Sequence, residues 1–175
     1  MDFLSKLFKQ PIQVVKNRYY TYTGTVRDGD LNGTLLTITG KGLLYDHTTD
    51  YVYDGELKNG QYHGLGQLTY SPFSNYNGQW HHGLQHGHGR LVHKDGWIYE
   101  GQWFGGLMHR QGKFEFVDHT IYEGSFVNGN IEGHGIEYVK GDCLTKRYQG
   151  SWLNGLYNGE GVYYYANGKP WYSGS

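Results

Sequence analysis

Ten histidines stand in a chain of 175 residues, and five of them, His81, His82, His86, His88 and His93, crowd into one short stretch. Imidazole is the commonest protein ligand for metals, so this density raises the question of a metal site. Ligands must converge on one point and be held by a supporting shell. His63, His86 and His109 instead recur at an even spacing of 23 residues. Even spacing marks a repeated structural position, so no metal and no cofactor is expected. The surviving metal alternative is His86, His88 and His93. Nucleophilic catalysis fares no better. Cys143 sits in KGDCLTKR beside Asp142 and near Lys146, with no His placed to activate it. A single Cys cannot form an internal disulfide, so nothing points to an oxidising compartment. Gly64-Leu65-Gly66 and Gly87-His88-Gly89 have the look of phosphate loops, yet strand residues follow where a dinucleotide fingerprint needs a helix. No catalytic residue is assigned.

The elements that carry these residues are repeats. Tyr-x-Gly begins a pattern at Tyr53, Tyr76, Tyr99, Tyr122 and Tyr148. Each block runs Tyr-x-Gly-x-(aromatic or Leu)-x-x-Gly-x-x-x-Gly-x-Gly, with Leu57, Trp80, Trp103, Phe126 and Trp152 at the fifth position. A degenerate first block holds Tyr22, Gly24, Val26, Gly29 and Gly33, followed by an insertion. Tyr172-Ser173-Gly174 opens a seventh copy. Within a block the apolar period is 2, which is the period of a strand. Tyr53, Gly55 and Leu57 share one face, while Asp54, Glu56 and Lys58 take the other, as do Glu100 and Glu123 in later blocks. Asn59-Gly60 supplies residues able to take positive φ in a tight turn. Gly64, Gly66, Leu68 and Tyr70 then line one face of a returning strand, so each block is a β-hairpin. At this spacing the same offset recurs about 10 Å along the array, too far for His63, His86 and His109 to share an ion.

Glycine normally weakens a strand. Here 29 of 175 residues are Gly, about 17% against a usual share of about 7%. Space is the expected reason: a Gly leaves a slot in which a ring from the neighbouring strand lies flat. No single hairpin buries such a face, so neighbours must stack.

The block YxGxWxxGxxxGxG, clearest in YNGQWHHGLQHGHG and YEGQWFGGLMHRQG, resembles the MORN repeat (membrane occupation and recognition nexus). The resemblance implies an all-β fold: an elongated, twisted, single-layer antiparallel sheet of about six hairpins, roughly 60 Å long at about 4.8 Å per strand. It also implies a non-enzymatic scaffold or interaction module. On that basis Tyr53, Tyr76, Trp80, Tyr99, Trp103, Tyr122, Phe126, Tyr148 and Trp152 are expected to form a row of exposed rings lining a partner-binding groove. Three departures qualify the match. Arg110 replaces a Gly, so the aromatic stacking there is expected to rearrange. Glu137 stands where other blocks place Leu68, Leu91, Phe114 and Tyr163, and a bulge around Lys140-Gly141-Asp142 is expected to reset the face. The first block lacks the second Gly of the pair and reads as a cap.

The remaining piece is the head. Residues 1–18 form a cationic amphipathic segment of net charge +3, followed by a cap over 19–52 and the array over 53–175. Phe3, Leu4, Leu7 and Phe8 fall on one helical face flanked by Lys6 and Lys9, and Pro11 ends it. This short helix is a contact for its own sheet, a protein partner or an anionic membrane lipid. The remaining residues carry a net charge of -4, so no basic field for nucleic acid exists. No apolar run is long enough for a spanning helix, and the N-terminus lacks the core of a signal peptide. The expected protein is cytoplasmic, peripheral at most, and captures a helix or peptide. The alternatives are a homodimer or larger oligomer stacking through edge strands, and an accessory subunit of an enzyme.

Overall fold

The computed structural model describes residues 12–28, 37–141 and 143–174, with the side chains of Asp28 and Ser71 left aside. The proposed helix of Phe3, Leu4, Lys6, Leu7, Phe8 and Lys9 lies outside the described residues, as do Gly29 and Gly33. Among the described residues, fourteen strands form one open antiparallel sheet in strictly sequential order. They are β1 (Ile12–Lys16), β2 (Tyr20–Asp28), β3 (Thr39–Asp46), β4 (Val52–Lys58), β5 (Gln61–Ser71), β6 (Ser74–His81) and β7 (Leu84–Val92). The series continues with β8 (Ile98–Phe104), β9 (Leu107–Glu115), β10 (Ile121–Val127), β11 (Asn130–Lys140), β12 (Leu144–Leu153), β13 (Leu156–Tyr164) and β14 (Pro170–Gly174).

Tight turns with two residues at positive φ close the hairpins, as their sequences require. Asn59-Gly60, His82-Gly83, Gly105-Gly106, Asn128-Gly129 and Asn154-Gly155 all take this conformation. Each turn glycine then donates its N–H to the preceding repeat. Gly83 N–H meets the Tyr62 carbonyl at 2.9 Å, Gly106 that of Gln85 at 3.0 Å, and Gly129 that of Met108 at 2.8 Å. Successive hairpins are thereby stitched outside the strand ladder.

A line of glycines crosses the sheet at right angles to the strands. It starts at Gly24 on β2 and passes through the facing pairs Gly42 and Gly55, Gly66 and Gly78, Gly89 and Gly101, Gly112 and Gly124, and Gly135 and Gly150. It ends with Gly161 facing Gly174 on β14. Along this line each repeat tyrosine lays its ring. A Cβ at Gly66 would stand within 3.0 Å of the Tyr53 hydroxyl and two of its ring carbons, and one at Gly89 equally close to Tyr76. The slot expected from the sequence is therefore real, and it belongs to the tyrosine.

Immediately beyond the glycine pair the ladder slips. Gly55 faces Gly66, but Glu56 faces His63, leaving Gly64 and Leu65 as a bulge. The same slip follows Gly78, Gly101, Gly124 and Gly150. The slip frees a backbone carbonyl, and the tyrosine hydroxyl donates to it. Tyr53 Oη donates to the Glu56 carbonyl at 2.8 Å, Tyr76 to Gln79 at 2.9 Å, Tyr99 to Gln102 at 2.7 Å, and Tyr122 to Ser125 at 3.0 Å. Bulge, glycine line and tyrosine are one device: the ring packs where no side chain stands, and its hydroxyl satisfies what the bulge orphans.

Several sequence expectations need correction here. Ile12–Lys16, counted with the cationic segment, forms an edge strand paired with β2. The first repeat does possess its glycine pair: Gly40 and Gly42 on β3, with Gly42 facing Gly24. The insertion merely displaces them. At the bulge Arg110 takes φ 57°, the conformation that Gly64, Gly87, Gly133 and Gly159 adopt elsewhere. The glycine at this position serves the backbone, so its replacement disturbs no ring stack; Tyr99 still stacks on Trp103 and Phe126. The irregularity in the longer step from Tyr122 to Tyr148 falls on Arg147, between the pairs Glu137–Tyr148 and Tyr138–Lys146, and not around Lys140. The reason is electrostatic. The extra residue lets Arg147 Nε donate to Glu137 Oε2 at 2.5 Å, and Tyr157 Oη donates to the same oxygen. That carboxylate is 7% exposed, a depth at which it needs partners.

Burial holds these phenols neutral. Tyr70, Tyr122 and Tyr157 are pushed up to about 12 by desolvation, and Tyr53, Tyr76 and Tyr99 are raised further by the same cause. In the unfolded chain they ionise near pH ~10. A raised folded value stabilises the fold fully below that pH, and the contribution disappears as pH rises through the folded values. We expect one steep alkaline unfolding transition between about pH 10 and 12, in which phenolate absorbance and loss of sheet dichroism coincide. Phenolates appearing well before the sheet signal falls would contradict it.

Candidate functional site

The nine aromatic residues expected to line a groove are between 0% and 6% exposed. The expectation of a row of exposed rings is therefore corrected. These rings are the core of a single-layer sheet, and the glycine line explains how a one-layer fold buries them. The second member of each repeat pair bridges neighbours edge to face. Trp80 stands 4.9 Å from Tyr76 and 5.7 Å from Tyr53 of the preceding repeat, and Trp103 stands 5.1 Å from Tyr99 and 5.2 Å from Tyr76. Their indoles also donate backward: Trp80 Nε1 to the Gly66 carbonyl and Trp103 Nε1 to the Gly89 carbonyl, both at 3.0 Å.

What the same face presents to its surroundings is a second tier. Tyr51, Tyr62, Tyr70, Leu91, Trp97, Met108, Phe114, Phe116, Ile131, Tyr157 and Tyr163 are half-buried and pack on the core row. They come from the returning strands and the connections between repeats, positions that the Tyr-x-Gly pattern does not mark. Their only sequence signal is the apolar residue two places after Gly89, Gly112 and Gly161. Rings here also touch: His93 stacks on Trp97 at 4.5 Å and Trp97 on Phe114 at 5.3 Å. Two hollows indent the belt. One, of about 380 Å³, lies among Tyr20, Leu44 and Tyr62; the other, of about 250 Å³, among Met108, Phe114, Phe116, Phe126 and Ile131. Glu137, with Arg147 and Tyr157, is the charged interruption of the belt.

The histidines divide by face. His93 pairs with Asp95 at 3.3 Å and stacks on Trp97, whereas His86 contacts His81 at 5.4 Å and Phe104 at 5.3 Å. His86 and His88 line one hollow from which His93 is absent, and among the described residues no three His, Cys, Asp or Glu side chains gather as metal ligands would. Cys143 is exposed next to the turn between β11 and β12.

A continuous sheet of bulged hairpins, locked by tyrosine over glycine and edged by a half-buried aromatic belt, defines an open-ended repeat protein. The MORN-repeat profile matches residues 53–73, 76–98, 99–121, 122–143 and 148–169, and the chain belongs to the MORN-repeat family. No curated protein matches it. MORN repeats are interaction and scaffold modules, and proteins built of them are generally non-enzymatic. The match begins at Tyr53; the first hairpin and the strands at either end extend the same geometry beyond the matched residues.

Proposed function

We propose that this chain is a docking module that captures an amphipathic protein segment along the half-buried aromatic belt. The single observation that carries this is the belt itself: one face of the sheet holds a tier of partly exposed rings and aliphatic chains, interrupted at Glu137, over a fully buried row. Partly exposed aromatics anchored on a rigid layer are the usual centres of binding energy, because their ordering cost is met before the partner arrives. The two hollows receive single side chains, which a protein segment presents and a lipid surface does not. A segment with apolar residues on one side fits the belt.

Selection from a library of amphipathic peptides supplies the probe. The chosen peptide should lose about thirtyfold in affinity for the Trp97→Ala, Phe116→Ala double variant, in line with the roughly 2 kcal/mol of a hot-spot pair. Both side chains are half-buried, so circular dichroism is expected to report an intact sheet. A peptide that binds this folded variant as tightly as the parent chain would remove the belt from the binding site.

A further inference from the structure

We propose that three hairpin tips, Asn59-Gly60, Asn128-Gly129 and Asn154-Gly155, are latent modification sites that deamidate only when their hairpin leaves the preceding one. This is independent of the docking reading and concerns the tips of the sheet. Asparagine is among the chemically labile residues, and it is most reactive before glycine, where no side chain obstructs the following amide nitrogen. That nitrogen loses its proton to hydroxide and attacks Cγ of the asparagine. An N–Cγ bond forms, the Cγ–Nδ2 bond breaks, and Nδ2 takes a proton from water to leave as ammonia. Water then opens the succinimide ring at either carbonyl, which yields aspartate or isoaspartate. Hydroxide and water are the only co-reactants.

The fold withholds the proton whose loss starts this reaction. In a two-residue hairpin the strand residues flanking the turn bond each other, but the N–H of the second turn residue finds no partner within the hairpin. Here the preceding repeat supplies one. Gly60 N–H donates to the Ile38 carbonyl at 2.8 Å, Gly129 N–H to that of Met108 at 2.8 Å, and Gly155 N–H to that of Ile131 at 3.0 Å. The bond also fixes the peptide plane. With Asn59, Asn128 and Asn154 at φ 49°, 49° and 51°, the glycine nitrogen is held where it cannot swing onto Cγ. All three asparagine side chains are exposed, so water and hydroxide already reach them. Contact between repeats is the remaining restraint.

The turn does not itself demand asparagine. His82-Gly83 and Gly105-Gly106 hold the same positive-φ conformation with no side-chain amide. Detachment of a hairpin frees its turn N–H, so reactivity follows the seating of one repeat on the next. Isoaspartate routes the backbone through the former side chain, lengthens it by one carbon and adds a negative charge. A two-residue turn matched to the twist of its strands has no place for the extra atom. A modified hairpin therefore does not regain its seat, and the tip keeps a covalent record that it once came away. Asn167-Gly168 supplies the contrast within the same chain. Gly168 N–H donates to the Tyr165 carbonyl at 2.8 Å and Lys169 N–H to Asn167 Oδ1 at 3.0 Å, both inside one exposed turn. Neither bond involves another hairpin.

The full chain is aged in mildly alkaline buffer, folded and in urea, and isoaspartate at each site is measured by peptide mass spectrometry and enzymatic methylation. In urea the four sites share one dipeptide and are expected to react at similar rates. In the folded chain Asn167 should stay within about tenfold of its urea rate, while the three tips fall at least about a hundredfold below theirs. Reaction through an opened state scales with the population of that state. Trp152→Phe removes the indole that donates to the Gly135 carbonyl at 3.3 Å and helps to seat the hairpin of Asn154. It should speed Asn154 by about tenfold and leave Asn59 unchanged, a local effect that general loss of stability does not give. Dichroism checks that the variant stays folded, and the comparison of folded and urea-treated parent chain stands without it. Tips that react as fast folded as in urea, or faster than Asn167 in the folded chain, would overturn the gating. So would a folded Trp152→Phe variant in which Asn154 is not accelerated or Asn59 is accelerated equally.

Discussion

Gly89→Ala is expected to cost more than about 4 kcal/mol, enough to unfold the central repeats at room temperature. A Cβ there would lie within 3.0 Å of several atoms of the Tyr76 side chain, which is fully buried. The ring cannot retreat, because its hydroxyl is tied to the Gln79 carbonyl at 2.9 Å and Trp80 and Trp103 close in edge-on. Neither can the strand, since the facing Gly101 continues the glycine line. Gly83→Ala is the control. Its Cβ would meet nothing within 4 Å, and only its φ of 79° opposes the change, so a loss of about 1 kcal/mol is expected. Urea midpoints of the two variants measure the contrast. Equal losses would mean that the glycine line is there for backbone freedom and not for the rings.

The second large effect concerns the ring that fills the slot. Tyr99→Ala removes a wholly buried side chain from between Trp103 and Phe126. A loss of about 4 kcal/mol follows from the burial and from the cavity that remains. Tyr99→Phe keeps the packing and removes only the donor to the Gln102 carbonyl, a bond of 2.7 Å. Leaving that carbonyl unsatisfied is expected to cost about 1.5 kcal/mol. The ratio of the two losses, read from denaturant unfolding at neutral pH, separates packing from hydrogen bonding. If the phenylalanine variant were as unstable as the alanine one, satisfaction of the bulge would be the dominant role of the tyrosine.

Much of this architecture is readable in the residues themselves. Tyr-x-Gly with an alternating period yields strands, Asn59-Gly60 yields the positive-φ turn, and the repeat yields sequential hairpins. The pairing of Gly with ring also follows, because a missing side chain and a large one recur at fixed offsets. The exposure of the rings does not follow. Alternation assigns Tyr53 and Trp80 to a face, but only the bulge at Gly64 and Leu65 decides that the ring tucks beneath its neighbours. The glycine pair of the first repeat, Gly40 and Gly42, escaped because an insertion of irregular length separates it from Gly24. Arg147 was unreadable for a different reason: a partner for buried Glu137 is required by electrostatics, yet nothing in the local spelling says which strand slips to provide it. The belt residues Trp97 and Phe116 lie in connections between repeats, where no periodicity marks a face.

The indole and turn-glycine bonds that join one repeat to the next point the same way. The indoles of Trp80, Trp103 and Trp152 donate to Gly66, Gly89 and Gly135, and the turn glycines donate to the strand before them. Each hairpin therefore leans on its predecessor and offers an identical platform to its successor. The sheet has a founding end and a growing end. A chain made this way tolerates duplication or loss of a whole hairpin without rewriting any contact, so repeat number becomes a dial for reach. Under tension from the growing end, hairpins are expected to peel off singly and in order, as a zipper opens, while the founding end stays closed.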